Sequence, residues 1–299
     1  MRSTVLMSMS GRIKSTERKL ALLMLTPAII LVFGLTLFPL FSAVYYGLTD
    51  LDLSNPLSGK FLGSFNYYRL LTTDSDFQQA SMRSMLFTIG CIVIQLPLGI
   101  GIGLLLNQPL KGQKIYRAVV TLPLVAAPVA VGQIWRIMYH YEFGIIKYIT
   151  ELIFGWSPNW TADPNIALTS IIIYDTWQWT PFIALIILAG LQSLPTEPFE
   201  SAKVYGASSL QIFRYITLPM LRPYIGLALI FRLIDTLRTW DPIWAITQGG
   251  PGQATETLSF YLYRVGLKQF FIGYACAASL IFLYAVIVLC AITLRRLRL

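Results

Sequence analysis

The segment LPTEPFESAKVYGASSLQIFRYITLPMLRP, residues 194–223, decides how the rest of the chain is divided. It is polar and helix-prone, with one central glycine, and it lies between long apolar stretches at residues 166–191 and 224–246. Apolar stretches of this length predict membrane spans. The segment is therefore predicted to be a surface loop that joins two of them.

The composition of the 299-residue chain is that of a membrane protein. Apolar residues make up 56% of it and charged residues only 12%, and the mean hydropathy is +0.63. A membrane-spanning helix needs roughly 20 apolar residues. Six stretches satisfy this length, at residues 20–46, 85–106, 119–139, 166–191, 224–246 and 271–294. We therefore expect an all-α integral membrane protein with six transmembrane helices.

Lysine and arginine residues outside these spans concentrate on one side of the predicted topology. Basic residues are retained on the cytoplasmic side of a membrane, so both termini and the loop 194–223 are predicted to face the cytoplasm. A cleaved signal peptide is the alternative for the first apolar stretch, because basic residues precede it. That stretch is too long for a signal peptide, and no small-residue cleavage site follows it. We expect a cytoplasmic segment at 1–19, a transmembrane domain at 20–294 and a basic tail at 295–299.

Several function classes are excluded by the residue types present. The net charge of +9 is distributed over the predicted cytoplasmic segments, which is typical of a polytopic protein and does not indicate nucleic-acid binding. Cys91, Cys276 and Cys290 lie within predicted spans and the chain has one histidine, so we expect no metal site and no bound cofactor. The sequence contains no GxxxxGK(S/T) phosphate-binding motif and no catalytic constellation, so we do not expect an enzyme.

The fifth predicted span contains four ionisable residues, Arg232, Asp235, Arg238 and Asp241. Each costs about 2.5–3.5 kcal/mol at the centre of a membrane-spanning helix, so such residues face a bundle interior or a wet cavity. Their three-residue spacing and alternating sign predict that neighbours pair along one side of the helix. Two interpretations stay open, a solute pathway and a set of ion pairs that locks helices together.

Two helical faces predict a site for a hydroxyl-rich solute. Carboxylates, amides and hydroxyls form hydrogen bonds with sugar hydroxyls, and aromatic rings stack on the apolar face of a sugar ring. A belt of tryptophans at the membrane surface is the alternative for the aromatic residues. The candidate residues are Asp175, Gln178, Trp179 and Phe182 in the fourth span and Asp235, Thr236 and Thr239 in the fifth.

The loop 194–223 itself is predicted to form two short helices, at residues 197–205 and 208–215, with a corner at Gly206. Four apolar residues of this helix-turn-helix, Phe199, Ala202, Leu210 and Phe213, are candidates to insert into a groove on a partner protein. An amphipathic helix that lies on lipid is the alternative.

These features resemble the permease subunit of bacterial ABC importers for carbohydrates, the group that includes the maltose permeases. The loop matches their EAA motif at Glu200-Ser201-Ala202, Gly206-Ala207, Phe213, Ile216-Thr217-Leu218-Pro219 and Arg222-Pro223. Further matches are KGQKIYR at residues 111–117, the DTW segment at 175–177 and the GGPG turn at 249–252. The resemblance covers nearly the whole chain from the first span onward.

The resemblance implies what the loop and the spans do. ATP and Mg would bind to a dimer of separate ATP-binding cassette subunits, which would contact the loop through Glu200, Ser201, Ala202, Gly206, Ala207 and Phe213. A second permease subunit, membrane lipid and an extracytoplasmic solute-binding protein would be the other partners, in a bacterial cytoplasmic membrane. Ser201 stands where the family has Ala, and Tyr205 where it commonly has Asp, which puts one polar contact with the ATPase in question.

By the same resemblance, a sugar would cross by alternating access, held by the candidate residues of the spans that flank the loop. An ion-coupled secondary transporter that uses the charges of the fifth span is the main alternative; it leaves the EAA motif unexplained, and the chain lacks the internal repeat typical of such transporters. The cargo stays open among sugars, polyols and glycerol phosphodiesters. Arg232 and Arg238 leave a phosphorylated or acidic cargo among the alternatives.

Overall fold

The computed structural model describes residues 2–109 and 111–297, with side chains from Lys19 onward. Helices make up 76% of the chain, and the described residues contain no β-strand. Four helices are long and apolar enough to cross a membrane: α1 (Arg2–Gly47), α3 (Ser75–Leu106), α7 (Ala167–Ser193) and α13 (Ile272–Leu297). The predicted all-α membrane fold is confirmed. Met1, Arg298 and Leu299, at the ends of the predicted terminal segments, lie outside the described residues.

The other helices are shorter, and three single π-helical turns extend or follow them. The helices are α2 (Phe65–Thr72), α4 (Gln113–Val125), α5 (Pro128–Met138), α6 (Ile145–Phe154), α8 (Glu197–Val204), α9 (Ser209–Ile212), α10 (Leu218–Met220), α11 (Arg222–Leu237) and α12 (Leu258–Tyr263). The π-helical turns are Phe213–Thr217, Ile243–Thr247 and Arg264–Lys268. Two bent pairs, α4 with α5 and residues 209–220 with α11, raise the number of spans to six if each pair crosses once.

The third predicted span, 119–139, is wrong as a single helix. It breaks between α4 and α5, whose axes differ by 93°. The break follows from Pro128, because proline disfavours helical geometry in the residue before it. Ala127 accordingly has an extended backbone, with ψ at 123°, and Pro128 begins the next helix, where its missing N–H costs nothing.

The fifth predicted span, 224–246, is also wrong as a single helix, because α11 ends at Leu237. Pro242 explains the early end. In a continuous helix its ring would collide with the carbonyl of the residue four positions earlier, Arg238, and that carbonyl would lose its hydrogen bond. Arg238 and Thr239 therefore lie in a turn after the helix, and Asp241 begins the next short helical segment.

The centre of the bundle is the contact between α3 and α7. A side chain at Gly99 would place its Cβ 2.5 Å from Ile183 and 3.3 Å from the backbone of Ala184, and Gly103 meets Ile187 in the same way. Small residues at such positions let two helix backbones approach closely. Helix α11 packs across both, and α1 packs on α13 at the periphery.

At one end of the bundle, charged and phenolic groups join the start of α3 to α12 and α13. The Asp74 carboxylate caps α3 by accepting from the Phe77 amide (2.8 Å) and also accepts from the hydroxyls of Tyr261 and Tyr274 (both 2.7 Å). Burial raises the pKa of Asp74, but these hydrogen bonds outweigh it and the pKa is lowered overall. Arg264 joins Asp76 of α3 to Glu256. This cluster joins the start of α3 to the segments around α12 and α13.

The predicted helix-turn-helix of the loop is present. Helices α8 and α9 are separated by a corner at Gly206, whose φ of +77° is a left-handed conformation that glycine adopts without strain. Ser208 begins α9 with a capping box: its hydroxyl accepts from the Gln211 amide, and the Gln211 side chain accepts from the Ser208 amide. The loop is thus a folded element with a defined shape.

The close contact of α3 with α7 generates a prediction. We expect Gly99→Ala to lower the free energy of unfolding by roughly 1–3 kcal/mol, because the new methyl group must separate the two helices. Gly101→Ala is the matched control, since no atom lies within 4 Å of a Cβ at that position. Thermal unfolding of the detergent-solubilised protein measures both; equal stability of the two variants would contradict the packing described.

Candidate functional site

A buried polar triad connects three helices. Arg232 of α11 donates through Nη2 to Oδ2 of Asp175 on α7 (2.5 Å) and through Nε to Oε1 of Gln95 on α3 (2.9 Å). Gln95 in turn donates through Nε2 to the same Asp175 oxygen (2.6 Å). The side chains of Arg232 and Asp175 are each 2% exposed. The guanidinium charge is therefore neutralised inside the bundle.

Two further groups surround the guanidinium of Arg232. Its Cζ lies 5.2 Å from the ring centroid of Trp179, a cation–π geometry. Its Nη1 lies 4.0 Å from Oδ2 of Asp235, one helical turn further along α11. Sequence spacing predicts the second contact, but the closest partner of Arg232 comes from another helix.

Two further ion pairs that sequence spacing predicts, Asp235 with Arg238 and Arg238 with Asp241, are absent from the ion pairs of the described residues. The physical reason for their absence is that α11 ends at Leu237. Beyond that residue, a spacing of three no longer places two side chains on one helical face.

A cavity of about 280 Å³ opens beside the triad, between α7, α11 and the turn that follows α11. Its wall combines charged side chains with a threonine, two aromatic rings and two prolines. The lining residues are Pro128, Tyr174, Asp175, Trp179, Arg232, Asp235, Arg238, Thr239, Asp241 and Pro242. Four of the seven candidate solute-binding residues are thus brought together, Asp175, Trp179, Asp235 and Thr239, with all three candidate pathway charges, Arg232, Arg238 and Asp241.

Three candidate solute-binding residues do not line the cavity. Gln178 accepts from the Tyr174 hydroxyl and donates to the carbonyl of Ala126 (3.2 Å), at the break between α4 and α5. Phe182 packs edge-on against Phe231 at 5.9 Å. Thr236 is fully buried and donates to the backbone carbonyl of Arg232 (2.7 Å). The helical face from Asp175 to Phe182 is longer than the cavity, so only part of it lines the cavity.

Two residues of the site were missed by the sequence analysis. Gln95 lies in an otherwise apolar part of α3, and that isolation is itself a signal, because an unpaired amide in a bilayer is costly. Tyr174, whose single hydroxyl proton is shared between Gln178 and the Pro128 carbonyl (2.9 Å), had no comparable signal. Its role depends on a break in another helix.

The helix-turn-helix loop has an inner and an outer side. Phe199, Glu200 and Phe213 line a hollow of about 660 Å³ between the loop and the ends of α3 and α7. Phe199 and Phe213 are half-buried in this hollow, and their insertion into a partner stays a prediction. Ser201, Gly206 and Leu210 are exposed, and Ala202 and Ala207 are half-buried. The largest exposed apolar side chains of the loop are Val204, Tyr205, Leu210 and Tyr215.

Buried charges beside a cavity, in a bundle of apolar helices with broken spans, are typical of polytopic membrane transport proteins. The chain belongs to the family described as binding-protein-dependent transport system inner membrane component, whose profile matches residues 95–297. It is therefore a transport component and not an enzyme, and the resemblance to carbohydrate ABC permeases is confirmed. Because the chain belongs to this family, the alternative interpretation as an ion-coupled secondary transporter is no longer needed.

Named relatives agree with this family, and a solved structure has a similar fold. The chain is 35% identical to the trehalose/maltose transport system permease protein MalF of Thermococcus litoralis, over 87% of this chain and 88% of that one. It is 33% identical to the sulfoquinovosyl glycerol transport system permease protein SmoG of Agrobacterium fabrum, over 94% and 91%. The fold is similar to a crystal structure of a bacterial ABC transporter that imports alginate, with a TM-score of 0.81, 22% identity and coverage of 96% and 98%.

The triad predicts a large effect of removing one charge. We expect Arg232→Met to lower the free energy of unfolding by about 3–5 kcal/mol, because Asp175 is left charged and unpaired in a buried place. Combining it with Asp175→Leu should recover part of this loss, since both charges are then absent. Glu151→Gln is the control, because it breaks the exposed pair with Lys147 and is expected to cost less than about 1 kcal/mol.

Unfolding of the detergent-solubilised protein in denaturant measures these variants. A loss for Arg232→Met no larger than that for Glu151→Gln would contradict a buried charge pair between α7 and α11.

Proposed function

We propose that this chain is a transmembrane subunit of an ATP-driven importer that moves a di- or oligosaccharide, or a related polyol, into the cytoplasm. The cargo would arrive on an extracytoplasmic binding protein, and a second permease subunit would complete the pathway. The observation that carries the proposal is the cavity between α7 and α11, whose lining combines an indole ring with carboxylates and a hydroxyl. The relative named for trehalose and maltose supports this class of cargo, and the relative named for sulfoquinovosyl glycerol, a sulfonated sugar, supports a carbohydrate cargo in the broader sense.

The chemistry of the cavity suits a sugar unit. The Trp179 ring offers an apolar face for stacking, and Thr239, Asp235 and Asp241 offer hydrogen-bonding groups for hydroxyls. Its volume of about 280 Å³ is close to the lower end of small-molecule sites, roughly 300 Å³. A partner subunit that closes the open side would enlarge the site enough for more than one sugar unit.

The loop between α7 and α11 is the proposed contact with the ATPase dimer. Its exposed side presents Tyr205 and Leu210, which are 89% and 74% exposed, beside the corner at Gly206. Large apolar side chains in such positions insert into partner grooves. Tyr205, which replaces the usual acidic residue, makes this contact more apolar, so the matching ATPase groove is expected to be apolar there.

In this mechanism the chain supplies positioning and movement, and the partner ATPase supplies the chemistry. Closure of the ATPase dimer on ATP would displace the loop, and the two permease subunits would turn from inward-facing to outward-facing. Trp179 and Thr239 would orient the sugar, and the Arg232 to Asp175 pair would keep α7 and α11 together during the change. Only contacts that differ between the two states can drive such a transition.

The cavity generates a prediction about its indole. We expect Trp179→Ala to reduce uptake of the transported sugar about tenfold, equivalent to about 1.4 kcal/mol, because the stacking surface is lost. Trp177→Ala is the matched control, since Trp177 lies two residues away, is 43% exposed and does not line the cavity. Uptake of radiolabelled sugars, supplied singly to proteoliposomes with the neighbouring subunits and binding protein, measures both. Equal uptake by the two variants would argue against this cavity as the sugar site.

The loop corner generates a second prediction. Gly206→Ala and Gly155→Ala both place a side chain on a left-handed backbone, at φ of +77° and +73°, with no atom within 4 Å. Each is expected to cost about 1–2 kcal/mol locally. Only Gly206→Ala should lower sugar-stimulated ATP hydrolysis by the assembled complex, because only that corner shapes the proposed ATPase contact. A comparable loss with Gly155→Ala would show a general folding effect.

A further inference from the structure

The charges that line the cavity do not cancel. Three carboxylates, Asp175, Asp235 and Asp241, share its wall with two guanidinium groups, Arg232 and Arg238. Three carboxylates against two guanidinium groups give the cavity one negative charge in excess. Low-dielectric walls concentrate the field of such an excess within a cavity.

The positive charge of Arg232 is not available to a solute. Its guanidinium donates to Asp175 and to Gln95 and is 4.0 Å from Asp235, and its side chain is 2% exposed. A guanidinium with these partners is held in place by the protein. An anionic solute would have to compete with Asp175 for it and would leave a buried carboxylate unpaired.

The remaining charges are more open to a solute. The Asp235 side chain is 41% exposed and meets a cation only at 4.0 Å, and Asp241 forms no ion pair among the described residues. Arg238 is exposed and likewise forms no ion pair in this part of the chain. Against one accessible guanidinium, two carboxylates therefore face the solute.

We infer that this cavity selects an uncharged, hydroxyl-rich solute and rejects anionic ones, with Asp235 and Asp241 as the specificity-determining residues. The inference rests on the proposed function and narrows its cargo from sugars in general to neutral ones. Carboxylates accept hydrogen bonds from sugar hydroxyls, and they repel a uronate, sulfonate or phosphate group. Gln95 acts as a positioning residue, because it helps Asp175 to hold Arg232 away from the solute.

The charge of the cavity is measurable without knowing the cargo. Thr239 lines the cavity and is half-buried, so Thr239→Cys places a thiol of similar size on its wall. Its reaction rate is measured with a cationic, an anionic and a neutral methanethiosulfonate reagent, in membranes that contain the full chain with its partner subunits. Rates are normalised to those of free cysteine, and the parent chain corrects for Cys91, Cys276 and Cys290.

We expect the cationic reagent to react about fivefold faster than the anionic one, as a local negative potential of order kT requires. Adding Asp235→Asn and Asp241→Asn leaves two guanidinium groups against one carboxylate, so the ratio should fall to one or below. Glu151→Gln removes an exposed charge that does not line the cavity and should leave the ratio unchanged. A ratio of one or less in the Thr239→Cys chain would overturn the inference, as would a ratio insensitive to the two Asn substitutions.

The same variant separates this inference from the proposed function. Protection of the thiol by a transported neutral sugar, added as maltose or trehalose with the binding protein, is expected if the cavity is the cargo site. Glucuronate, the anionic probe, should protect only when Asp235 and Asp241 are both replaced. A cation-favouring ratio without protection by any neutral sugar would reject the cavity as the cargo site. If maltose protects the thiol but the anionic reagent reacts faster, the proposed function stands and only the inference of charge selection is rejected.

Discussion

A charge removed from water must be neutralised within the protein, and the Arg232 guanidinium is neutralised by Asp175 of another helix. Gln95 completes the arrangement from a third helix. Removing any one of the three would leave a buried polar group without its partner, so the relative placement of α3, α7 and α11 is tightly constrained. The cavity beside the triad depends on that placement, because its walls belong to two of these helices.

The close contact of α3 with α7 makes this triad geometrically feasible. Gly99 and Gly103 let the two backbones approach, one and two helical turns beyond Gln95. A short separation between the backbones is what allows an amide side chain of α3 to reach a carboxylate of α7 at 2.6 Å. The apolar packing of small residues and the polar triad are thus two consequences of a single approach between helices.

Broken helices also need polar partners, and α7 provides them. The turn between α4 and α5 leaves the carbonyl of Ala126 without a helical hydrogen bond, and this carbonyl accepts from Gln178. The Pro128 carbonyl, at the start of α5, accepts from Tyr174. In a membrane, such carbonyls require a substitute donor. Gln178 therefore stabilises the broken helix, although its residue type and position on α7 also fitted a solute ligand. The polar face of α7 thus contributes both to the cavity wall and to the hydrogen bonds of the broken helix. The sequence alone does not show which residue does which.

How far the sequence specifies the structure can be judged from these elements. The apolar stretches predict the helices, and the composition of residues 194–223 predicts the helix-turn-helix with its corner at Gly206. Local patterns suffice there because the cause is local. They fail for the broken helices, because Pro128 and Pro242 are as compatible with a kink as with a break. They also fail for the closest partner of Arg232. Spacing along one helix predicts Asp235, but in the structure the closest carboxylate is Asp175, which lies on another helix far away in the sequence.

The loop and the triad belong to one mechanical unit. The loop begins where α7 ends and leads through the π-helical turn Phe213–Thr217 and α10 into α11, with a bend of 62° before α11. Because Asp175 of α7 and Arg232 of α11 are joined by an ion pair, the two helices are connected both by the loop and within the bundle. In the proposed importer, a force applied to the loop therefore moves α7 and α11 together and does not pull them apart. In that importer, access to the cavity would change at its other walls, which are the Pro128 end of α5, the turn after α11 and the side that would face the proposed second permease subunit.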